Sequence, residues 1–137
     1  MICYIDSSVV LRALLNQQGQ FSEWANIRRG VSSVLLLVEC HRVLDRCRLE
    51  GILSDAEIAE LKQNLRAFIR GITLCSVDDS IVTRASEPFA TVVGSLDAIH
   101  LSTALLWQEE EKEELAFLTF DLQLEVAASA CGFRVKL

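Results

Sequence analysis

Short apolar runs bounded by turn-forming residues alternate along the chain with longer stretches in which apolar positions recur every three or four residues. Ile2-Cys3-Tyr4-Ile5, Val31-Ser32, Ile72-Thr73-Leu74-Cys75, Leu115 to Thr119 and Phe133-Arg134-Val135-Lys136 read as strands. The first and fourth are apolar enough to be buried on both faces, as in a parallel sheet. Between the strands the spacing predicts helices from about Ser8 to Leu15, from about Val34 to Leu49 closed by Gly51, and from Leu96 to about Gln108. A shorter helix is expected around Phe21 to Arg28, with Gly30 as its terminator. Ser54-x-x-Glu57 is a capping box opening a helix that runs to Arg70 before Gly71. Asp78 or Asp79 caps a helix over Ile81 to Ala85, Pro88 interrupts, and Asp121 starts a helix ending at Gly132. Strands alternating with helices imply an α/β chain folded as a three-layer α/β/α sandwich around a mostly parallel sheet.

At 137 residues, a single domain spanning 1–137 is expected, large enough to bury roughly two-thirds of its unfolded surface. The longest apolar run, Val34 to Val38, is far short of the ~20 residues that a membrane-spanning helix needs. Met1 leads straight into a strand without a basic, cleavable leader, so no membrane association and a cytoplasmic location are expected. The five cysteines are odd in number and show no C-x-x-C spacing, which points to buried free thiols. His41 and His100 do not fall at zinc-site spacing relative to them.

The formal charge of −6 is concentrated in Glu109 to Glu114, whose five acids and one base carry −4 of it. This run reads as a solvated helix end that would repel RNA if it lay beside a binding groove. Ten of the 13 basic residues are Arg, suited to bidentate phosphate contacts, and Arg28, Arg29, Arg42, Arg46 and Arg48 fall in one stretch. The acidic balance therefore does not exclude a nucleic-acid partner.

Asp6, Glu39, Asp97 and Asp121 each sit inside or directly after an apolar stretch, where a carboxylate is costly without a cation. Asp6 and Asp121 can each cap a following helix, and Asp97 lies in the first turn of one that Ser95 could cap. Glu39 has Leu35, Leu36 and Val43 as its helical neighbours, with Arg42 as a possible ion-pair partner. Open α/β sheets place their sites at the carboxyl ends of the strands, where these four acids would converge. Two carboxylates about 4 Å apart repel by roughly 4 kcal/mol at an effective dielectric near 20, so a cluster must take up protons or hold a cation. An all-oxygen site suits Mg²⁺ or Mn²⁺, which can activate water and neutralise a phosphoryl oxygen. Arg42 and Arg46 share a face with Glu39, positioned to hold substrate phosphate or a partner's carboxylate, or to form surface ion pairs. His100 reads as a satisfied core or rim histidine rather than a substrate contact.

The segments Tyr4-Ile5-Asp6-Ser7-Ser8, Val38-Glu39, Leu96-Asp97-Ala98-Ile99-His100-Leu101-Ser102-Thr103-Ala104 and Leu118-Thr119-Phe120-Asp121 together resemble the PIN-domain ribonucleases, and among them the VapC-type toxins. The match spans nearly the whole chain in motif order. The resemblance implies a PIN-like sandwich, an Mg²⁺ or Mn²⁺ site and endonucleolytic cleavage of RNA. It implies catalytic and metal-binding roles for Asp6, Glu39, Asp97 and Asp121, and supporting roles for Ser7 and Thr119, whose hydroxyls would steady metal waters or a neighbouring carboxylate. It also implies a homodimer and a small antitoxin laid across the active-site groove, whose basic groups meet the acids.

Two rivals remain on sequence alone. A Mg²⁺ phosphatase or phosphoacceptor domain would use Asp6 as nucleophile, but position 8 carries Ser8 rather than a second Asp, and no Lys follows a late strand. A non-catalytic PIN-like interaction module would leave the acids as helix caps, with Glu39 held by Arg42.

Overall fold

In the computed structural model, which describes residues 1–136, successive residues of β1 (Ile2–Ile5) bury their side chains on opposite faces of one sheet. Ile2 and Tyr4 join a core with Leu101, Ala104, Trp107, Phe117 and Leu124, whereas Cys3 and Ile5 join a second core with Val9, Val10, Leu36, Leu44 and Leu65. A strand whose every side chain is buried needs helices above and below it. The elements that follow supply them: α1 (Ser7–Leu14), β2 (Arg29–Ser33), α2 (Leu35–Leu49), α3 (Asp55–Arg70), β3 (Ile72–Cys75), α4 (Asp79–Ala85), α5 (Ser95–Glu111), β4 (Ala116–Leu118), α6 (Leu122–Ala130) and β5 (Arg134–Lys136).

The five strands pair in parallel in the order β3-β2-β1-β4-β5, giving the expected three-layer sandwich. The chain winds outward from β1 to β3, then returns to place β4 on the other side of β1. Right-handed crossovers put the helices on opposite faces when the winding direction reverses. Side chains from α1, α2 and α3 accordingly fill one core and those from α5 and α6 the other. The reversal falls between β1 and β4, and the crevice at their carboxyl ends is where such a sheet receives ligands.

Local chemistry sets the element ends. The Ser54 hydroxyl accepts from the Glu57 amide at 3.2 Å while Glu57 accepts from the Ser54 amide at 2.7 Å, completing the capping box. Asp78 caps α4, and Gly51, at φ +69°, follows α2 in the left-handed conformation that favours glycine. Gly94, rather than Ser95, is the cap residue of α5. That helix runs past Gln108 into the acidic stretch, to Glu111.

One expected helix is not formed. Residues 21–28 make only a single 3-10 turn, Trp24–Asn26, because their apolar side chains serve as separate anchors instead of one helical face. Phe21 is buried edge-on against Trp24, which in turn meets Phe68. The segment is tied down by tertiary hydrogen bonds, from the Met1 amine to the Asn26 carbonyl at 2.7 Å and from the Arg28 amide to the Met1 carbonyl at 2.8 Å. Gly30 consequently terminates no helix and lies within β2, opposite Cys3. A Cβ there would stand 2.7 Å from Ile72 Cγ2 and 2.9 Å from Ile5 Cδ1, so this glycine allows β2 to fit beneath its neighbours. Gly30→Val is expected to overpack this contact and cost about 1–3 kcal/mol, read as a lower urea midpoint at unchanged slope; an unaltered midpoint would show that the strand accommodates a side chain.

Candidate active site

Asp6 follows β1 at the reversal point and is 4% exposed. Its Oδ2 accepts from the Ser8 amide at 3.2 Å, the Ser8 hydroxyl at 2.5 Å and the Thr119 hydroxyl at 3.0 Å. Among the described residues no hydrogen bond reaches its Oδ1. The same carboxylate is thus both the cap of α1 and a group with one oxygen left free. Thr119 Oγ1 also accepts from the Asp121 amide at 3.0 Å, and Ser8 Oγ accepts from the Phe120 amide at 2.9 Å, so the turns after β1 and β4 are sewn together around Asp6.

Glu39 reaches the site from α2. Its Oε2 accepts from the Ser7 hydroxyl at 3.1 Å, and its Oε1 lies 2.6 Å from His100 Nε2 on α5. His100 Nδ1 lies 2.8 Å from the Tyr4 hydroxyl, which accepts from the Ser33 amide at 3.1 Å. The partner of Glu39 is therefore not Arg42, whose guanidinium pairs with Asp45 at 3.3 Å one turn further along α2. The arginine lies along the helix surface toward solvent, while Glu39 turns inward to donors on α1 and α5.

Ligand atoms of Asp6, Glu39 and His100 lie within 4.8 Å of one another. Asp97 and Asp121 stand outside that mutual set. Asp97 is one turn before His100 on α5, and its pKa is raised by burial, then by the charges of Asp121 and Asp6, with His100 opposing and Glu39 adding to the rise. Asp121 is exposed and uses Oδ1 to accept from the Gln123 and Leu124 amides, which makes it the cap of α6. Among the described residues no Lys or Arg forms an ion pair with Asp6, Glu39, Asp97 or Asp121. Oxygen donors of this kind, facing one another without a Lys or Arg among them, suit a hard divalent ion.

The sequence missed Tyr4 and Ser8. Ser8, rather than Ser7, hydrogen-bonds Asp6, because the first turn of α1 directs Ser7 toward Glu39. Tyr4 left one usable signal: a phenol within a strand buried on both faces needs a polar partner. His100 is the satisfied core histidine expected, 1% exposed. Burial disfavours its charge, but the Glu39 hydrogen bond and the charges of Glu39, Asp6 and Asp97 outweigh this and raise its pKa. Burial, followed by the charge of Asp6, pushes the Tyr4 phenol well above its ordinary range, so it stays protonated. The cysteines are free, and burial pushes Cys40 up to about 12, which leaves it an inert thiol.

Beside the acids runs a groove of about 320 Å³, walled by Leu11, Leu35, Val38, Val43 and Leu96 and also lined by Ser7, Glu39, Arg42 and Arg46. The acidic run lies far from it. Arg28 pairs with Glu113 at 3.4 Å and Arg29 with Glu111 at 3.0 Å, at the amino ends of β2 and β4, the opposite edge of the sheet. Those two arginines, and Arg48, which pairs with Asp45 at 3.1 Å, are engaged by acids, not arrayed for phosphate.

The sequence pattern of the PIN domain matches residues 3–129, and the chain belongs to that family. No curated protein matches it by sequence. Among solved structures it is similar to a toxin-antitoxin complex from Klebsiella pneumoniae, with a TM-score of 0.67 at 13% identity, covering 98% of this chain and 96% of that one. It is also similar to VapBC2 from Rickettsia felis bound to a DNA fragment from their promoter, with a TM-score of 0.69 at 11% identity, covering 99% and 98%. At these identities the likeness is one of fold.

The charge crowding has a measurable consequence in the metal-free chain. Because folding raises the pKa of Asp97, its ionised form opposes folding, so stability falls as pH rises from the unfolded carboxylate range through the folded value. Asp97→Asn removes that cost. In chelator it is expected to unfold at a higher temperature than the parent at pH 7, with the gain vanishing below about pH 4; equal midpoints at pH 7 would contradict the crowding.

Proposed function

We propose that this PIN domain is a Mg²⁺- or Mn²⁺-dependent endoribonuclease that cleaves RNA phosphodiester bonds as the toxin of a VapBC-type toxin–antitoxin pair. The observation that carries the proposal is the convergence of Asp6 and Glu39 beside Asp97 at the reversal point of the sheet, with no Lys or Arg among the described residues to pair with them. Family membership supports nuclease chemistry, and the two structural neighbours, one described as a toxin–antitoxin complex and the other as VapBC2, support the toxin reading.

Asp6, Asp97 and Asp121, completed by Glu39, would hold the ion. When bound, it would supply a Lewis acid for a phosphoryl oxygen and a lowered pKa for water. The chain's own groups prepare this role. Ser8 and Thr119 fix Asp6 through Oδ2 and leave Oδ1 open, while Ser7 and His100 hold both oxygens of Glu39. Without the ion, this acidic edge repels an RNA phosphate. Arg46, on the neighbouring groove, and Arg42, once released from its exposed pair with Asp45, would offer cations for phosphate or for the carboxylate of an antitoxin segment, whose apolar side chains the groove walls suit. A homodimer, a small antitoxin and a cytoplasmic location belong to the same reading. Among the described residues no helix is long and apolar enough to cross a membrane.

Asp6→Ala and Asp97→Ala are each expected to abolish Mn²⁺-dependent cleavage of RNA by the purified chain while the circular dichroism spectrum stays unchanged. Undiminished cleavage by both variants refutes the assignment. Chelator is expected to stop the parent enzyme and added Mn²⁺ to restore it.

A further inference from the structure

The imidazole of His100 is tied at both nitrogens, and the order of donors along that chain decides what it can do. The Ser33 amide donates to the Tyr4 oxygen at 3.1 Å inside the core. Tyr4 has one proton to donate, and His100 Nδ1 lies 2.8 Å from its oxygen. An Nδ1 that accepts from a phenol carries no proton of its own, so in the neutral ring the proton is at Nε2. Nε2 stands 2.6 Å from Glu39 Oε1 and donates to it. A second proton, at Nδ1, would leave the Nε2–H in place, so the donor role does not depend on the charge of the ring. A protonated nitrogen has no lone pair for a metal, although a ring nitrogen of His100 lies within 4.8 Å of a carboxylate oxygen of each of Asp6 and Glu39.

We propose that His100 is a positioning residue for the candidate metal site: held in the Nε2–H form by Tyr4, it clamps Glu39 against Ser7 and is not itself a ligand. The inference rests on the metal-site reading above. Ser7 Oγ donates to Oε2 from α1 and His100 Nε2 donates to Oε1 from α5, so the carboxylate is gripped from two helices. Each oxygen keeps a lone pair for an ion or its waters. Tyr4 connects this clamp to the interior, since it is fully buried and its ring stacks on Phe117 at 4.9 Å. Groups that orient ligating carboxylates typically govern metal affinity by 10–100-fold.

The test is calorimetric titration of the full chain with Mn²⁺, together with His100→Leu and His100→Gln. The parent is expected to bind. His100→Leu, which cannot donate, is expected to bind about 10–100-fold more weakly. His100→Gln, whose side-chain amide can still donate to Glu39, is expected to stay within a few-fold of the parent. Leucine binding as tightly as the parent overturns the clamp, and glutamine losing as much as leucine makes His100 a ligand and overturns it as well. If the leucine variant does not fold, the glutamine titration and the ring ¹⁵N spectrum of the metal-free parent decide. A proton on Nε2 supports the proposal, and a bare Nε2 refutes it. A parent that binds no Mn²⁺ overturns the metal reading itself and this inference with it.

Discussion

Mutual repulsion among carboxylates gathered at one sheet edge is the constraint around which the structure is organised. At an effective dielectric near 20, two such groups about 4 Å apart cost roughly 4 kcal/mol. The raised pKa of Asp97 is the local sign of that cost, with Asp121 and Asp6 acting on it after burial. The hydroxyls of Ser7, Ser8 and Thr119 and the ring of His100 orient the acids. Only His100 can bring a positive charge, and no Lys or Arg among the described residues supplies one. Two separate cores, one on each face of the sheet, hold the frame that forces these groups together.

Helix capping and ion binding are usually rival explanations of a carboxylate after a strand. Here the geometry accommodates both, because a carboxylate has two oxygens. Asp6 caps with Oδ2 and Asp121 with Oδ1, and in each the described hydrogen bonds leave the other oxygen unengaged. The cap fixes the side chain through one oxygen and leaves the other without a donor among the described residues. A structural role for each residue is therefore no argument against a functional one.

Charge is also sorted by position. The acids of the run 109–114 that meet Arg28 and Arg29 do so at the amino edge of the sheet, so that this negative block does not add to the field at the candidate site. Arg29 lies in addition 5.0 Å from the ring of Trp107, which anchors that pairing to the core. Arg42 and Arg46 line the groove that Glu39 borders. A net charge of −6 thus describes neither edge.

Local signals decided much of the fold. Short strand-like segments, helical spacing and capping residues marked all five strands and all but one of the helices to within a turn, since propensity, capping and hydrophobic period act over a few residues. The four acids were legible for a similar reason: a carboxylate at the end of a buried strand, or a Glu among leucines, conflicts with its own neighbours. Tertiary structure decided what depends on groups far apart in the chain. Phe21 and Trp24 carry helix-like spacing with Gly30 as an apparent stop, but packing against Phe68 and Ile72 overrode it. Glu39 chose His100, 61 positions away, over Arg42 three positions away, because the fold brings a buried donor to it while water competes for the arginine. The Tyr4–His100–Glu39 chain joins a strand and two helices, and no local pattern could announce it, since its three members become neighbours only when the sheet has closed between them.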